Sequence, residues 1–371
     1  MQVRQIDTSN KQDVQKFVSF PFALYRDCAQ WVPPLWNDAA TILNRDKHPF
    51  YAHSTADFFL AETNGQVVGR IAALENRRYN SYKGSQTAFF GYFEAVNDND
   101  VADRLFAAVF AWAKERKLEN VIGPRGVIGI DGSVLVEGFE HRPALTIPYN
   151  FPYYDGLIRR AGFTKLTDLL SGYLPGNHTL PPRMHTIADK MKQRRGFWVK
   201  RFASKREIRR WIPRIMTVHQ EAFSQTRSFY PPTRDEVQQV IGTVLAIVDP
   251  RLVKLVMKGD EIAGFILAYH DVSAGLQRAN GRIWPTGWLH ILRERQRTPW
   301  LNINGLGLLP QYQGLGANAI LYTELEKTVK ASNIEHIDVV QVDEANFKSY
   351  ADMEKIGVRW YKRHRHYHRS L

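Results

Sequence analysis

A glycine-containing loop between an apolar run and a helical pattern offers the clearest chemistry in the sequence. The run LGLLP is followed by QYQGLG at positions 311–316 and by ANAILYTELEKTVK from Ala317. A strand that turns at once into a helix places N–H groups without intrahelical partners at the positive end of the helix dipole. Gly314 and Gly316 carry no Cβ, so an anion can approach that backbone closely. We therefore predict a diphosphate-binding loop over residues 311–317.

The same stretch resembles the coenzyme A loop of the GNAT superfamily of N-acyltransferases, whose motif [RQ]xxGx[GA] lies between a strand and a helix. Gln311, Gly314 and Gly316 match this motif position for position. The spacing differs from the P-loop pattern GxxxxGK[ST] and from the dinucleotide pattern GxGxxG. The resemblance covers residues 196–371 and, more loosely, the first half. It implies transfer of an acyl group, usually acetyl, from acyl-coenzyme A to an amine.

The resemblance also implies which residues contact acetyl-CoA or a longer acyl-CoA, the one co-substrate needed. Backbone N–H groups near Leu308 would polarise the thioester carbonyl as charge develops on its oxygen. Asn346 stands where the family has a coenzyme-contacting asparagine, although a plain helix N-cap is an equal alternative. The implied coenzyme-binding residues are Leu308, Leu309, Gln311, Tyr312, Gln313, Gly314, Leu315, Gly316, Ala317 and Asn346.

The sequence leaves the catalytic acid and base open. In many family members a tyrosine four residues before the glycine that ends the last helix protonates the departing thiolate, but Met353 occupies that position here. Tyr350, one turn earlier, is the candidate acid, and a packing tyrosine is the alternative. Glu221 lies where the substrate-side helices of the family begin and is the candidate base. Asp343 and Glu344 are further carboxylates that could accept the proton or stay solvated.

The elements around the loop occur twice along the chain. The stretches DFFLAETNGQVVGRIAAL from Asp57 and RLVKLVMKGDEIAGFILAY from Arg251 each contain two apolar runs joined by a glycine turn. This pattern predicts a β-hairpin in each half. A helical pattern, a short apolar run and a helix ending in Gly162 or Gly357 follow each hairpin. We therefore predict an α/β fold (α+β mixed sheet) built from two tandem GNAT-like domains.

The predicted division of the chain has three parts. Residues 1–175 form a degenerate GNAT-like domain, residues 176–195 a linker rich in Pro, Gly and basic side chains, and residues 196–371 the acyl-CoA-binding catalytic domain. In the first half the corresponding helix begins with EAVNDNDVADRLF instead of the glycine motif. Carboxylates such as Asp98 and Asp100 would repel a diphosphate. We therefore expect coenzyme binding in the second domain alone.

The amino-acid composition indicates which classes of ligand and which cellular compartment the protein favours. Fifty Lys and Arg against thirty-seven Asp and Glu give a net charge of +13, which favours coenzyme phosphates, nucleic acid or anionic lipid. Cys28 is the only cysteine, which excludes an internal disulfide and a thiolate zinc site. The N terminus is polar, and no run reaches the roughly 18 apolar residues of a membrane span, so we predict a cytoplasmic protein.

The C-terminal stretch WYKRHRHYHRSL permits two interpretations. Cations mixed with aromatic rings are typical of nucleic-acid surfaces. Strict alternation fits a closing strand with one solvated face, which we favour. His364, His366 and His368 have no acidic or thiol partners in this stretch, so we predict no metal site.

Two other functions stay open. Tandem domains of related fold in peptidoglycan-building transferases use aminoacyl-tRNA, and the positive charge would suit RNA phosphates. The missing tyrosine at Met353 also permits a non-catalytic acyl-CoA sensor. We expect acyl-CoA and an amine-bearing small molecule or peptide as partners, and we do not favour nucleic acid. The acceptor, the acyl length and the oligomeric state are not predicted.

Overall fold

A computed structural model of the protein describes residues 1–127 and 132–371. The chain divides into two compact units. Unit 1 comprises Met1–Leu169, Ser273–Arg293 and Lys362–Leu371. Unit 2 comprises Leu170–Val272 and Glu294–Tyr361. Each unit therefore uses segments from both halves of the sequence.

The secondary structure mixes strands and helices along the whole chain. The strands are β1 (Gln2–Gln5), β2 (Thr55–Thr63), β3 (Gln66–Glu75), β4 (Thr87–Ala95), β5 (Asn120–Gly123), β6 (Val134–Glu137), β7 (Thr164–Pro175), β8 (Phe197–Arg201), β9 (Val253–Lys258), β10 (Glu261–His270), β11 (Trp300–Leu308), β12 (His336–Asp343) and β13 (Arg359–Ser370). The helices are α1 (Lys11–Leu24), α2 (Trp36–Thr41), α3 (Arg77–Lys83), α4 (Asn99–Glu115), α5 (Tyr154–Arg160), α6 (Pro182–Arg195), α7 (Lys205–Phe223), α8 (Arg234–Ile247), α9 (Ser273–Ala279), α10 (Gly287–Arg297), α11 (Ala317–Lys330) and α12 (Phe347–Lys355). Among the described residues, no helix is both long enough and apolar enough to span a bilayer.

Unit 1 contains a sheet in the order β1-β2-β3-β4-β5, followed by the C-terminal part of β13. β2 and β3 form the predicted hairpin, and its turn residues Asn64 and Gly65 both have positive φ. An Asn-Gly pair is favoured there because a tight hairpin needs the left-handed region at both turn positions. α4 packs its apolar face on this sheet through Leu105, Phe106 and Val109, all fully buried.

The predicted closing strand is confirmed as β13, but the prediction of one solvated face is wrong. Tyr367 lies in the core of unit 1. On the face expected to be solvated, Lys362 Nζ donates to Arg142 O at 3.2 Å, and His364 Nε2 lies 3.1 Å from Pro148 O. A loop therefore covers this face, and both side chains are buried. Burial lowers the pKa of His364 to about 3, so its ring is neutral at pH 7.

Unit 2 contains a sheet in the order β7-β12-β11-β10-β9-β8. β9 and β10 form the second predicted hairpin, in which Lys258 opposes Glu261. Alternate residues of β9 face opposite cores: Val256 packs with α6 and α11, whereas Leu255 packs with α7. Helices therefore cover both faces of this sheet.

The compact units do not follow the predicted domain boundaries. Residues 273–293 and 362–371, from the second half of the sequence, belong to unit 1. The segment expected as a linker, residues 176–195, contains α6, whose Ala188 and Met191 are buried in the core of unit 2. A linker carries few such contacts, so this segment is an integral part of its unit.

A buried carboxylate ties the last strand into unit 1. Asp168 on β7 accepts hydrogen bonds from Arg365 at 2.7 and 3.0 Å and from Arg363 at 3.1 Å, and Lys165 Nζ lies 2.9 Å away. Burial alone would raise the pKa of Asp168, but these cations outweigh it and hold the pKa at about 2. The charged form is therefore the one that the fold stabilises.

We predict that Asp168→Asn lowers the free energy of unfolding at pH 7 by about 3 kcal/mol, because two partly buried arginines lose the buried carboxylate that they pair with. The folded pKa lies below the ordinary value of 3.8, so this stability is complete above pH 3.8 and is lost as pH falls through 2. Urea unfolding at pH 7 and pH 3 checks both points. Asp100→Asn, which breaks an exposed pair with Arg104, should cost less than about 1 kcal/mol. Equal losses in the two variants would contradict the assignment.

Candidate functional site

Two parallel strands in unit 2 separate before they end. β11 and β12 pair from Trp300 and His336 to Ile303 and Val339, although both strands continue further. β11 carries a bulge next to this point, since its register against β10 shifts between Ile303 and Leu306. Bulges bend a strand and increase its local twist. The two strands therefore open an edge of unpaired backbone along the last residues of β11.

The N–H of Leu308 points into this opening. Leu309 donates its N–H to Ala263 O of β10 at 2.9 Å. The N–H and C=O of one strand residue point to the same edge of the strand, and successive residues alternate between the two edges. The N–H and C=O of Leu308 therefore face away from β10. Gln313 Nε2 reaches the same edge and donates to Leu308 O at 3.1 Å. The backbone thus presents a donor where a thioester carbonyl could be polarised.

No side chain of the protein caps the N terminus of α11. Its N-cap residue is Gly316, whose φ of 94° lies in the left-handed region and whose lack of a side chain leaves no capping oxygen. In the described part of the chain, the N–H groups of residues 314–318 have no hydrogen-bond partner. Together with the helix dipole they form a concave row of donors. An anion is the ligand that such a row accepts.

The two glycines of the loop have different surroundings. A Cβ at Gly314 would meet no heavy atom of the described residues within 4 Å. A Cβ at Gly316 would lie 2.6 Å from Ile187 Cγ2 of α6. Gly314 therefore borders open space that a ligand can enter, whereas Gly316 allows α6 to pack closely against the loop.

Side chains before the glycines fix the loop to β10. Tyr312 donates its hydroxyl hydrogen to Glu261, and Gln311 Nε2 donates to the same carboxylate at 3.4 Å. This hydrogen bond raises the pKa of Tyr312. Tyr312 also packs its ring edge-on against Phe197, with 5.6 Å between ring centroids. Gln311 and Tyr312 thus orient the loop through side chains that point toward β10.

The remaining predicted loop residues divide into anchors and exposed positions. Leu309 and Ala317 are buried, so their side chains hold the two ends of the loop in the core of unit 2. Gln313 and Leu315 are exposed. The backbone of the loop, more than its side chains, is therefore available to a ligand.

In unit 1, N–H groups at the positions that correspond to the loop and to Leu308 already donate hydrogen bonds to side chains of the same unit. Asp98 caps α4 and accepts hydrogen bonds from the N–H of Asp100 at 2.8 Å and of Val101 at 3.5 Å. Ala95 corresponds to Leu308, because each pairs opposite a strand glycine, Gly69 or Gly264.

In unit 1, a tyrosine hydroxyl accepts the hydrogen bond from the N–H that corresponds to that of Leu308. The N–H of Ala95 donates to the Tyr154 hydroxyl at 3.2 Å. Tyr154 in turn donates to Glu94 at 2.6 Å, and burial raises the pKa of that carboxyl. Unit 1 therefore fills with its own side chains the positions that unit 2 leaves open.

The predicted acid and the predicted asparagine both lie at α12. Tyr350 stacks on Trp360 with 5.0 Å between ring centroids. Met353, at the position of the usual family tyrosine, is buried in the core. Asn346 is the N-cap of α12 and accepts the N–H of Ser349 at 3.2 Å, as the alternative interpretation expected. The catalytic role of Tyr350 and the coenzyme contact of Asn346 stay predictions.

The predicted base, Glu221, is exposed on α7, and its catalytic role also stays a prediction. The face of α7 that packs on the sheet carries Ala222, because a Cβ at Gly307 of β11 would lie 3.2 Å from the Ala222 methyl group. His219, three residues earlier, shares this face. Its ring stacks on Phe265 of β10 at 5.9 Å.

His219 is the group that the sequence reasoning missed. His219 is exposed to solvent, yet desolvation of the side of its ring that packs on Phe223 and Phe265 lowers its pKa below 6.5. The ring is therefore mainly neutral at pH 7 and able to accept a proton. The signal in the sequence was its position on the apolar face of α7, in the stretch VHQEAF.

Comparisons with known proteins agree with this geometry. Residues 212–358 match the model of the acetyltransferase (GNAT) family. The chain is 26% identical over 373 residues to Protein YghO of Escherichia coli (strain K12), covering 98% of this chain and 94% of that protein. It is 24% identical over 292 residues to the bacterial ceramide synthase of Caulobacter vibrioides (strain NA1000 / CB15N), covering 77% and 75%.

A solved structure supports the fold. The tandem GNAT protein from the clavulanic acid biosynthesis pathway (without AcCoA) superposes with a TM-score of 0.57 at 11% identity, covering 100% of this chain and 98% of that one. The predicted fold, a mixed α/β protein with tandem GNAT-like domains, is thereby confirmed.

We predict that Gly316→Ala costs about 2 to 3 kcal/mol of unfolding free energy, because it combines a left-handed φ with the contact to Ile187. Gly314→Ala has a φ of 74° but open space around it, and should cost about 1 kcal/mol. Urea unfolding measures both values. If the two variants were equally stable, the packing role given to Gly316 would be wrong.

Proposed function

Because residues 212–358 match the acetyltransferase (GNAT) family, we propose that the chain is an N-acyltransferase that moves an acyl group from acyl-coenzyme A to an amine. The observation that carries the proposal is the row of unpartnered N–H groups at residues 314–318. These donors would bind the coenzyme diphosphate, and the opening beside β11 would take the arm that carries the thioester. Unit 1 would bind no coenzyme, since Asp98 and Tyr154 occupy its equivalent donors.

The proposed reaction requires a donor that polarises the carbonyl, a base and an acid. The amine nitrogen attacks the thioester carbonyl, the carbon–sulfur bond breaks, and the products are an amide and the free coenzyme thiol. The N–H of Leu308 would stabilise the negative charge that develops on the carbonyl oxygen. His219 would accept the proton that the amine gives up. Tyr350 is the candidate donor of a proton to the departing thiolate.

We propose a long-chain amino alcohol as the acceptor and a long acyl chain as the donor group. The relative named bacterial ceramide synthase supports this, because a ceramide joins these two components by an amide bond. α8 also supports it: the helix is apolar, yet Glu236 is its only buried residue. Its side chains Ile241, Val244 and Leu245 are half-buried beside the core that α7 covers. An alkyl chain would complete their burial.

We predict that Gly314→Glu weakens coenzyme binding about a hundredfold, because it places a negative charge where the diphosphate binds. Calorimetry with palmitoyl-CoA, acetyl-CoA and free coenzyme A on the full chain checks this. Gly259→Glu is the matched control, since Gly259 also has a positive φ and open space around it. The control should bind like the parent, and palmitoyl-CoA should bind more tightly than acetyl-CoA.

Two outcomes of this titration would count against the proposal. Equal binding by Gly314→Glu and the parent would remove the loop from the coenzyme site. Tighter binding of acetyl-CoA than of palmitoyl-CoA would leave the coenzyme site in place but contradict the long acyl chain.

We predict that His219→Ala lowers kcat about 100-fold or more and leaves coenzyme affinity unchanged, because only proton transfer is lost. Glu221→Ala, two residues away and exposed, should stay within about twofold of the parent. The assay is amide formation from palmitoyl-CoA and sphinganine in detergent micelles, followed by mass spectrometry.

We predict that the amide-forming activity decreases at acidic pH. The neutral ring of His219 is the active form and its pKa lies below 6.5, so kcat/KM should fall as pH drops through that lowered value. A loss of activity in Glu221→Ala, with normal activity in His219→Ala, would identify Glu221 as the base and exclude His219. Coenzyme binding without amide formation from any amine would favour the sensor function.

A further inference from the structure

Exposed apolar side chains concentrate in one segment of unit 1. Trp284 is 78% exposed, Leu292 45%, Trp288 43% and Ile283 37%. The other large hydrophobic residues with comparable exposure in the described chain are far apart in sequence: Met1, Tyr82, Trp198, Leu315 and Phe347. Folded proteins rarely expose contiguous apolar groups without a binding partner. We call Ile283, Trp284, Trp288 and Leu292 the aromatic patch.

Local geometry keeps the residues of the aromatic patch close together, in the first turns of α10 and in the turn that precedes it. Trp288 and Leu292 are four residues apart and therefore share a helix face. Trp284 precedes the helix in a turn that is closed by hydrogen bonds. The N–H of Trp288 donates to Ile283 O at 3.0 Å, and its indole Nε1 donates to Pro285 O at 3.1 Å. The turn is thus ordered by its own backbone while the rings remain exposed.

Cations flank the aromatic patch. Arg282 precedes it and Arg293 follows it, and both are exposed. Tryptophan and aliphatic side chains beside arginines are typical of segments that lie in the interface of a bilayer. The net charge of +13 adds attraction to anionic lipid. We propose that the aromatic patch docks unit 1 onto an anionic membrane surface.

A groove with both charged and apolar residues in its wall adjoins the aromatic patch within unit 1. It has a volume of about 910 Å³, and Ile283 and Trp284 form part of its wall. Three cations and two carboxylates also line it: Lys11, Arg45, Arg282, Asp38 and Asp46. These five charged side chains suit lipid headgroups and water, because burying them against acyl chains would cost free energy. The apolar rings would enter the membrane while this groove faces the headgroup layer.

A lipid surface fits this face better than a second copy of the chain. A symmetric dimer places the same surface of both copies together. Contact through the aromatic patch would therefore gather Arg282 and Arg293 of both copies at one interface, where like charges repel. An anionic bilayer instead supplies the opposite charge.

We predict that the full-length protein co-sediments with vesicles of equal parts phosphatidylglycerol and phosphatidylcholine, and that Trp284→Ala/Trp288→Ala weakens this binding about tenfold or more. Phe347→Ala is the matched control, because Phe347 is also 78% exposed but lies outside the patch. Arg293→Gln should weaken binding about fivefold to anionic vesicles alone. Circular dichroism verifies folding, and the single variant Trp284→Ala replaces the double variant if that one is unstable.

Three results would overturn the proposal. They are absence of the parent from the vesicle pellet, binding of the tryptophan variant at parental strength, and a parental dimer that the same substitutions dissociate. The assay contains no acyl donor or acceptor, so its outcome does not depend on the proposed acyl transfer.

Discussion

Backbone N–H groups at a helix N terminus must find a partner, and the two units meet this constraint differently. In unit 1, Asp98 caps α4 with its carboxylate, and Tyr154 accepts the N–H of Ala95 at the neighbouring strand edge. In unit 2, the N-cap residue of the corresponding helix, α11, is Gly316, which has no side chain that could accept a hydrogen bond. Unsatisfied donors cost free energy unless water or a ligand occupies them. One topology thus yields a closed site in unit 1 and an open one in unit 2.

The open site depends on packing that lies outside the motif. Gly316 leaves room for Ile187 of α6, and Tyr312 holds the loop against Glu261 of β10. α7 lays His219 and Ala222 over the sheet beside β11. The donors and the candidate base therefore sit on elements with buried faces, which keeps them in fixed positions. The glycine motif alone would not order a site.

The sequence predicted the features that local chemistry determines. The Asn64-Gly65 turn, the strand-to-helix loop and the helix ends at Gly162 and Gly357 follow from backbone conformations that few residues adopt. It did not predict the extent of the units, because the placement of residues 362–371 depends on long-range contacts such as those of Asp168. His219 was missed because the sequence shows the apolar face of α7 but not which strand residues that face contacts, and the contact with Phe265 of β10 depends on tertiary packing.

The most direct measurement is nuclear magnetic resonance of the full chain labelled with 15N-glycine, with coenzyme A added stepwise. Of the 25 glycine amides, those of Gly314 and Gly316 should shift most, with Gly314→Ala and Gly316→Ala assigning the two peaks. Hydrogen bonds to a diphosphate would move both signals strongly. Unchanged Gly314 and Gly316 signals at saturating coenzyme, with shifts confined to glycines of unit 1, would contradict the account.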